Sequence, residues 1–311
     1  MNILGVIPAR YASTRLPGKP LADICGKTLI RRVYERAALS PLLDRLVVAT
    51  DDERILEEVR SFGGEAVLTS SDHPNGTCRV AEAAEKYEGD IVLNIQGDEP
   101  LLDPLMVDEV AQALLDDDSA LSSTLCVPIT ERSMLDDPSV VKVVRDLRGF
   151  ALYFSRYPIP YIRSDADAVP VYEHIGIYGF RRDFLNIYVS LPPTPLSLAE
   201  SLEQLKIMEH GYSMKVSVTG AERKGTSVDT PEDLEAVRRT VCSNEVKSIL
   251  CSNEVKSTVC SNEAKSILCS NEVKSTVCSN EVKSIVCSNE AKSTVCSSEA
   301  KGPARPAVKG V

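Results

Sequence analysis

Long apolar runs, histidines and clusters of basic residues are scarce in this 311-residue chain. No run approaches the roughly 18 apolar residues of a membrane span, and the N-terminus lacks the basic and apolar segments of a secretory leader. The formal charge is -10 and the pI is near 5.0, with no basic stripe that would attract duplex nucleic acid. We therefore expect a cytoplasmic protein that binds neither membranes nor nucleic acids.

Several signatures of catalysis and cofactor binding are also missing. His73, His174 and His210 are the only histidines, and they suggest neither a Ser/His/Asp triad nor a His-rich metal site. No two cysteines have the Cys-x-x-Cys spacing of zinc sites. The Walker loop and the Gly-x-Gly-x-x-Gly motif of dinucleotide-binding folds are both absent. Nucleophilic hydrolysis is therefore disfavoured.

The chain changes character near residue 241. From residue 242 a nine-residue unit, first CSNEVKSIL, repeats for six full copies and a fragment. Nine residues make about 2.5 helical turns, so an apolar face would rotate by about 180° from one copy to the next. We predict one domain over 1–241 and a tail over 242–311 that is disordered or marginally helical. The alternative is a stacked repeat or self-association module.

Residues 1–241 begin with an alternation of short apolar strands and amphipathic helices. The predicted strands are NILGVIPA, RLVVATD, EAVLT and DIVLNIQGD, and the helices between them are TLIRRVYERAAL, DERILEEVRSFG and GTCRVAEAAEKY. This alternation is typical of an α/β fold with a largely parallel sheet that is covered on both faces. Ligands of such sheets bind beyond the carboxyl ends of the strands.

The second half of this domain has more strands and fewer helices. We interpret ALSSTLCVPI, VKVVRD, ALYFSR and HIGIYGF as strands that complete the sheet and form a smaller β-rich insertion. A single helix is predicted over 197–211. The closing helix is predicted to begin at Pro231, with Thr230 as its N-cap.

The motif IPARYASTRLPGKPL, residues 7–21, carries three basic side chains before the first acidic residue of the chain. Arg10, Ser13, Arg15 and Lys19 follow a predicted strand, and guanidinium and ammonium groups near loop amides are suited to a polyphosphate. An arginine can bind two oxygens at once, whereas a lysine acts as a point charge on a leaving group. The alternative is a solvated basic loop that forms surface ion pairs.

Two carboxylates are predicted at strand ends. Asp98 in NIQGDEP follows an apolar strand, and Asp229 in GTSVDTPEDL lies far away in sequence at another predicted strand end. Mg²⁺ needs only one or two carboxylates besides phosphates and water, so these residues are candidate metal ligands. Glu99 could serve in place of Asp98. Each acid could instead belong to a turn or cap the following helix.

The motif SDHPNGTCR surrounds a predicted helix start. His73, Asn75, Gly76, Thr77 and Arg79 offer hydroxyl, amide and backbone groups that can bind a nucleobase edge. A plain helix-capping turn explains the same residues equally well.

Taken in order, these motifs resemble the 3-deoxy-manno-octulosonate cytidylyltransferase family, also called CMP-Kdo synthetases. The resemblance rests on IPARYASTRLPGKPL, ATDD, SDHPNGT, NIQGDEP, VKVV, ALYFSR, HIGIYGF, LEQL and VDTPEDL, and it stops at the repeat tail. It implies a nucleotide-diphospho-sugar transferase fold: a Rossmann-like, mixed and mostly parallel sheet with a small β-rich dimerisation insertion. It also implies a homodimer.

The resemblance implies a role for each matched residue. Arg10, Ser13 and Lys19 match the triphosphate loop, Gln96 and Asp98 a motif near nucleotide and metal, and Asp229 a second metal carboxylate. The residues that match the sugar side, together with Gln96, are Arg156, His174, Tyr178, Glu203 and Gln204. Cys78 departs from the family, which often has an acidic residue after Gly-Thr.

The implied reaction is Mg²⁺-dependent transfer of CMP from CTP to 3-deoxy-D-manno-octulosonate (Kdo) for lipopolysaccharide synthesis. Arg10, Lys19, Asp98 and Asp229 are the candidate catalytic residues. One alternative is a cytidylyltransferase for another acidic sugar, such as an amino-Kdo or sialic acid. Another is an assembly protein that acts through the repeat tail.

Overall fold

The computed structural model describes residues 1–13, 15–163, 169–221 and 227–251. The strands are β1 (Ile3–Ala9), β2 (Asp23–Ile24), β3 (Lys27–Thr28), β4 (Arg45–Thr50), β5 (Glu65–Leu68), β6 (Ile91–Asn94), β7 (Ser122–Pro128), β8 (Lys142–Arg145), β9 (Ala151–Ser155), β10 (Tyr172–Arg181) and β11 (Met214–Val218). The helices are α1 (Leu29–Ala37), α2 (Glu53–Ser61), α3 (Gly76–Glu85), α4 (Pro104–Leu115), α5 (Arg132–Asp136), α6 (Arg182–Ser190), α7 (Pro195–Glu200), α8 (Leu205–Glu209) and α9 (Pro231–Cys251).

The main sheet has the order β11–β7–β10–β6–β1–β4–β5. Strands β6, β1, β4 and β5 are parallel, and β11 is parallel to β7. Strand β10 is antiparallel to both β6 and β7. It also pairs with β8, which in turn pairs antiparallel with β9. The predicted mixed, mostly parallel sheet is confirmed, and its antiparallel strand lies between the two parallel parts.

Side chains of β1 alternate between two hydrophobic cores, as the period of a strand requires. Ile3 and Ile7 pack in one core with residues of α1, α2 and α4, whereas Leu4 and Val6 pack in the other with residues of α3 and α6. Helices therefore cover both faces of the sheet, as the apolar strand sequences predict. This leaves the carboxyl ends of β1 and β6 as the accessible edge for a ligand.

The prediction of one helix over 197–211 is wrong. Helix α7 ends because Ser201 adopts a left-handed conformation, with φ 51° and ψ 48°, and the amide of Leu202 donates to the carbonyl of Ser197 at 3.0 Å. Helix α8 then turns back, and the Glu209 carboxylate accepts from the amide of Leu196, with a shortest distance of 3.1 Å, at the N-terminal end of α7. The break places 201–204 outside any helix.

Helix α9 begins at Pro231, as predicted. The Thr230 hydroxyl accepts from the Asp233 amide at 3.2 Å, and the Asp233 carboxylate accepts from the Thr230 amide at 2.8 Å. The helical backbone continues past the predicted boundary at 241 to Cys251, through the first repeat copy. The later copies lie outside the described residues, so the state of the tail stays a prediction.

No helix among the described residues is both long enough and apolar enough to cross a bilayer.

Candidate active site

Three segments meet at the carboxyl edge of β1 and β6. Strand β1 leads into the basic loop, β6 leads into 95–99, and the segment before α9 lies beside them, because the Val228 amide donates to the Asp98 carbonyl at 2.8 Å. A side chain at Gly97 would place its Cβ 2.9 Å from the Pro8 carbonyl oxygen. Glycine at this position therefore lets the segment after β6 approach β1 closely.

Lys19 joins the two predicted metal carboxylates. Its ammonium lies 2.9 Å from Asp98 Oδ2 and 3.2 Å from Asp229 Oδ1. Asp98 comes four residues after the end of β6, whereas Asp229 lies in the loop before α9, well beyond the end of β11 at Val218. The expectation that Asp229 lies at a strand end is therefore wrong, although its side chain does meet Asp98.

Opposing effects act on the pKa of Lys19. Burial lowers this pKa, but the carboxylates of Asp98 and Asp229 outweigh burial and hold it above its usual value. Lys19 is therefore a cation across the physiological pH range. Lys19 and Arg15 together match the charge of the two carboxylates, so a metal ion would take over carboxylate oxygens that these basic side chains now bind.

The carboxylates of Asp98 and Asp229 suit Mg²⁺ by chemistry and placement. Both direct an oxygen at the same ammonium, which shows that they converge on a shared cation position. Within the described part of the chain, no group of three or more His, Cys, Asp or Glu could hold a metal by itself. Two carboxylates completed by phosphate oxygens and water are a usual environment for Mg²⁺.

The rest of the basic loop surrounds this pair. An Arg15 guanidinium nitrogen lies 3.1 Å from Asp229 Oδ1, and Arg10 donates to the His73 carbonyl at 2.6 Å. The Ser13 hydroxyl accepts from the Leu16 amide at 3.4 Å. The loop thus presents its basic groups beside the motif predicted to bind the base.

A cavity of about 460 Å³ opens next to Asp98 and Asp229. The predicted site residues that line it are Gly76, Thr77, Gln96, Asp98, Arg156, His174, Tyr178, Glu203, Gln204 and Asp229. It is also lined by residues outside the predicted site, among them Asn94, Ser139, Glu173, Tyr188, Ser201 and Ser227. No motif in the sequence predicts most of these residues as part of the site, because they approach the cavity from strands and loops that are far apart in the chain.

Glu203 is an acid of the cavity with two hydroxyl partners. Its carboxylate accepts from the hydroxyls of Thr77 and Tyr188, both at 3.5 Å, and the Asn94 amide donates to Thr77 Oγ1 at 3.2 Å. Burial raises the pKa of Glu203, and the nearby Lys206 ammonium only partly opposes that shift. The break between α7 and α8 is what directs Glu203 into the cavity.

His174 and Tyr178 supply neutral polar groups on β10. Burial lowers the pKa of His174 to about 3, so its imidazole is uncharged at neutral pH, and its Nε2 lies 3.0 Å from Thr124 Oγ1. Burial, with the charges of Glu203 and Glu99, raises the pKa of Tyr178 well above its usual value. Both rings therefore act as neutral hydrogen-bonding groups.

Gln204 presents a polar atom without a partner. The residue is only 4 % exposed, and its Nε2 has no hydrogen-bond partner within the described residues. Since a buried amide nitrogen that donates to nothing is costly, this group is suited to a ligand in the cavity.

Other predicted residues have partners within the protein. The Arg156 guanidinium donates to the carbonyls of Glu200 and Pro138 at 2.8 and 2.9 Å. The Asn75 side chain caps α3 by accepting from the Cys78 amide at 2.9 Å. These contacts show structural roles, and the predicted ligand contacts of these residues stay predictions.

The histidine and arginine of the SDHPNGTCR motif also contact acidic side chains. His73 Nε2 lies 2.5 Å from Glu82 Oε2. Arg79 is fully buried and donates to Asp51 at 2.9 Å, and it is not among the residues that line the cavity. The expectation that Arg79 helps to bind a base is therefore wrong, because its guanidinium lies in the core.

Residues 4–217 match a family model described as cytidylyltransferase. A 3-deoxy-manno-octulosonate cytidylyltransferase of Syntrophotalea carbinolica is 49 % identical over 245 residues, which cover 76 % of this chain and 97 % of that protein. One of Syntrophobacter fumaroxidans is 51 % identical over 241 residues, which cover 76 % of this chain and 96 % of that protein.

The chain belongs to the 3-deoxy-manno-octulosonate cytidylyltransferase family.

A solved member of this family has the same architecture. The structure of a CMP:2-keto-3-deoxy-manno-octonic acid synthetase complexed with CTP superposes with a TM-score of 0.75 at 45 % identity, covering 78 % of this chain and all of that one. The family resemblance seen in the motifs is confirmed, and so is the Rossmann-like, mixed and mostly parallel sheet that it implies.

Proposed function

We propose that this protein transfers CMP from CTP to Kdo and releases pyrophosphate. The observation that carries the proposal is the meeting of Lys19, Asp98 and Asp229 beside the cavity. Cationic groups and carboxylates at the edge of an α/β sheet are suited to a nucleoside triphosphate, and the adjoining cavity is polar enough for an acidic sugar. The names of the relatives support the choice of CTP and Kdo.

The reaction is an in-line displacement at the α-phosphorus of CTP. The anomeric oxygen of Kdo forms a bond to phosphorus, the bond to the bridging oxygen of the β-phosphate breaks, and pyrophosphate leaves with that electron pair. The hydroxyl proton passes to solvent. Such a transfer depends on positioning and charge neutralisation more than on a protein nucleophile.

The basic loop is proposed to bind the triphosphate. Arg10, Ser13 and Arg15 would contact its oxygens, and the Lys19 ammonium would offset the charge that grows on pyrophosphate. Asp98 and Asp229 would hold Mg²⁺, which when bound polarises the phosphate that is attacked. Lys19 already lies where it can exchange a carboxylate oxygen for a phosphate oxygen.

Two sets of residues in and beside the cavity are proposed for the two organic groups. His73, Asn75, Gly76 and Thr77 are proposed to surround the nucleotide near Gln96. Kdo is proposed to bind among Gln96, Arg156, His174, Tyr178, Glu203 and Gln204, all of which line the cavity. Neutral donors such as Gln204 can bind the sugar hydroxyls and carboxylate without a fixed charge.

We further propose that the protein works as a cytoplasmic homodimer that supplies lipopolysaccharide synthesis. The dimer is supported by exposed apolar side chains on and after β9: Leu152 is 59 % exposed, Tyr157 76 % and Tyr161 89 %. Single exposed apolar residues are common, but a group of them favours an interface. Sedimentation velocity at micromolar concentration tests the oligomeric state.

Pyrophosphate release tests the activity. The full chain is incubated with CTP, Mg²⁺ and either Kdo, amino-Kdo or sialic acid, and a chain that ends at Cys251 is assayed beside it because this end preserves the whole of α9. We expect Kdo-dependent release from both chains at similar rates. Release only with amino-Kdo or sialic acid would make that sugar the substrate instead of Kdo. Release only from the chain with the tail would give the repeats a role in activity.

A further inference from the structure

Lys142 is a fully buried cation outside the proposed set of catalytic and binding residues. It lies at the start of β8, and its ammonium donates to three backbone carbonyls: Asp137 at 2.9 Å, Val140 at 2.7 Å and Arg156 at 2.6 Å. An ammonium has three donors and no acceptor, so these bonds satisfy it completely. A buried charge is tolerated only with such compensation.

The three carbonyls belong to two segments that form one wall of the cavity. Asp137 and Val140 lie in the turn before β8, and Arg156 follows β9. Ser139 and Val141 from the first segment line the cavity, as does Arg156 itself. The Arg156 guanidinium also donates to the Pro138 carbonyl at 2.9 Å, so the two segments are joined twice.

We propose that Lys142 is a positioning residue that fixes the wall of the cavity against which Kdo binds. This inference rests on the proposed function. Lys142 is not among the residues that line the cavity, so it acts through the turn 137–141 and through Arg156. The same turn reaches β10, because the Val141 carbonyl accepts from the His174 amide at 2.8 Å.

An apolar side chain cannot replace this ammonium. Methionine has nearly the length of lysine but no donor, so three carbonyls would lose a partner in a buried place. The turn would then have to shift to reach other donors or water. A shift there moves Ser139, Val141 and the backbone of Arg156 away from the sugar, while the Lys19, Asp98 and Asp229 cluster is left in place.

The chain offers a matched control for the loss of a carbonyl-bound cation. Arg182 donates to the carbonyls of Ala84 at 2.6 Å, Tyr87 at 2.8 Å and Gly89. Neither Arg182 nor these three residues line the cavity. Lys142→Met and Arg182→Met therefore remove the same kind of interaction, but only the first change acts on the wall of the cavity.

The experiment measures KM for Kdo and for CTP in the full-length wild type and in both variants. We expect Lys142→Met to raise KM for Kdo by about tenfold or more, because small misplacements of binding groups are costly. KM for CTP should stay within roughly twofold of the wild type. Arg182→Met should change neither KM for Kdo nor KM for CTP, even if it lowers the melting temperature. An unchanged KM for Kdo in Lys142→Met, or equal rises for both substrates, overturns the inference.

A second variant decides the matter if Lys142→Met does not fold. The exposed Asp137 carboxylate accepts from the amide and the hydroxyl of Ser139 at 2.8 and 2.7 Å, and so it shapes the same turn. Asp137→Ala should raise KM for Kdo by a smaller factor and leave KM for CTP unchanged. Asp117→Ala is its control, because Asp117 also accepts from the amide and the hydroxyl of Ser119, away from the cavity; its additional ion pair with Lys215 makes it the more demanding change for stability. Equal KM for Kdo in these two variants counts against the inference.

Failure of the proposed function gives a different result. A folded wild type that releases pyrophosphate with no acidic sugar refutes the function itself, and the inference falls with it. An active wild type with an unaffected Lys142→Met variant refutes only the positioning role.

Discussion

The phosphate side and the sugar side of the cavity differ in how they handle charge. On the phosphate side, Lys19, Arg15, Asp98 and Asp229 form a network of ion pairs that is partly open to solvent. On the sugar side, His174 is buried and uncharged and Glu203 has a raised pKa. A network of exchangeable ions can rearrange around a charged nucleotide, whereas uncharged buried groups such as His174 and Gln204 can recognise hydroxyl groups by fixed geometry.

Removing one charge of the ion network should lower activity more than any other change proposed for this site. Asp98→Asn keeps the shape of the side chain but takes away a ligand for Mg²⁺ and a partner of Lys19. We expect turnover to fall by at least about 100-fold, comparable to the loss of one strong electrostatic element. The measurement is the steady-state rate of pyrophosphate release at saturating CTP, Kdo and Mg²⁺.

Asp118→Asn is the matched control for this change. Its carboxylate also pairs with a basic side chain, that of Arg181 at 3.2 Å, but it is 92 % exposed and away from the cavity. Turnover of the control should equal that of the wild type. Near-normal turnover of Asp98→Asn would show that the ion network is not the catalytic half of the site.

The burial of His174 on the sugar side is tested through the pH dependence of stability. Burial depresses the pKa of His174 from 6.5 to about 3, so below pH 6.5 the unfolded chain binds a proton that the folded protein does not. Stability is therefore complete above pH 6.5 and is lost as the pH falls towards 3. Between pH 7.5 and 5, His174 should lower the free energy of unfolding by about 2 kcal/mol.

Urea unfolding of the wild type and His174→Gln at these two pH values measures this contribution. Glutamine keeps a neutral polar group near Thr124 but does not titrate. The loss between the two pH values should be larger in the wild type by the stated amount. Parallel losses in the two proteins would mean that His174 is hydrated or protonated in the folded state, and the contrast between the two sides of the cavity would disappear.

The two sides also differ in how far the sequence predicts them. Arg10, Lys19 and Asp98 follow apolar strands, and the rule that ligands bind at the carboxyl edge of a parallel sheet brings them together from local pattern alone. Glu203 and Gln204 reach the cavity only because the chain breaks at Ser201, where the apolar spacing predicts a continuous helix.

That break depends on contacts that sequence periodicity does not encode. The Glu209 carboxylate binds amides at the start of α7, and this holds α8 folded back against it. Lys142 also depends on long-range contacts. Its buried ammonium reaches its carbonyl partners only once the turn before β8 and the end of β9 are adjacent. Local strand and helix patterns fix most of the sheet, whereas the sugar side depends on long-range packing.

Within the ion network, Arg15 should matter least. Arg15 is 65 % exposed and lies 3.1 Å from Asp229, so this pair is a surface ion pair worth about 1 kcal/mol or less. An exposed arginine should contribute on the same scale to phosphate binding, so Arg15→Ala should raise KM for CTP by about fivefold at most, and added salt should shrink the difference from the wild type because exposed charges are screened. Arg45→Ala, which breaks an exposed pair with Glu65 at 2.8 Å, is the control and should leave KM unchanged. If Arg15→Ala instead lowered turnover by about 100-fold or more, and added salt did not change that factor, Arg15 would be in fixed contact with the reacting phosphate. Its contribution to turnover would then equal that of Asp98.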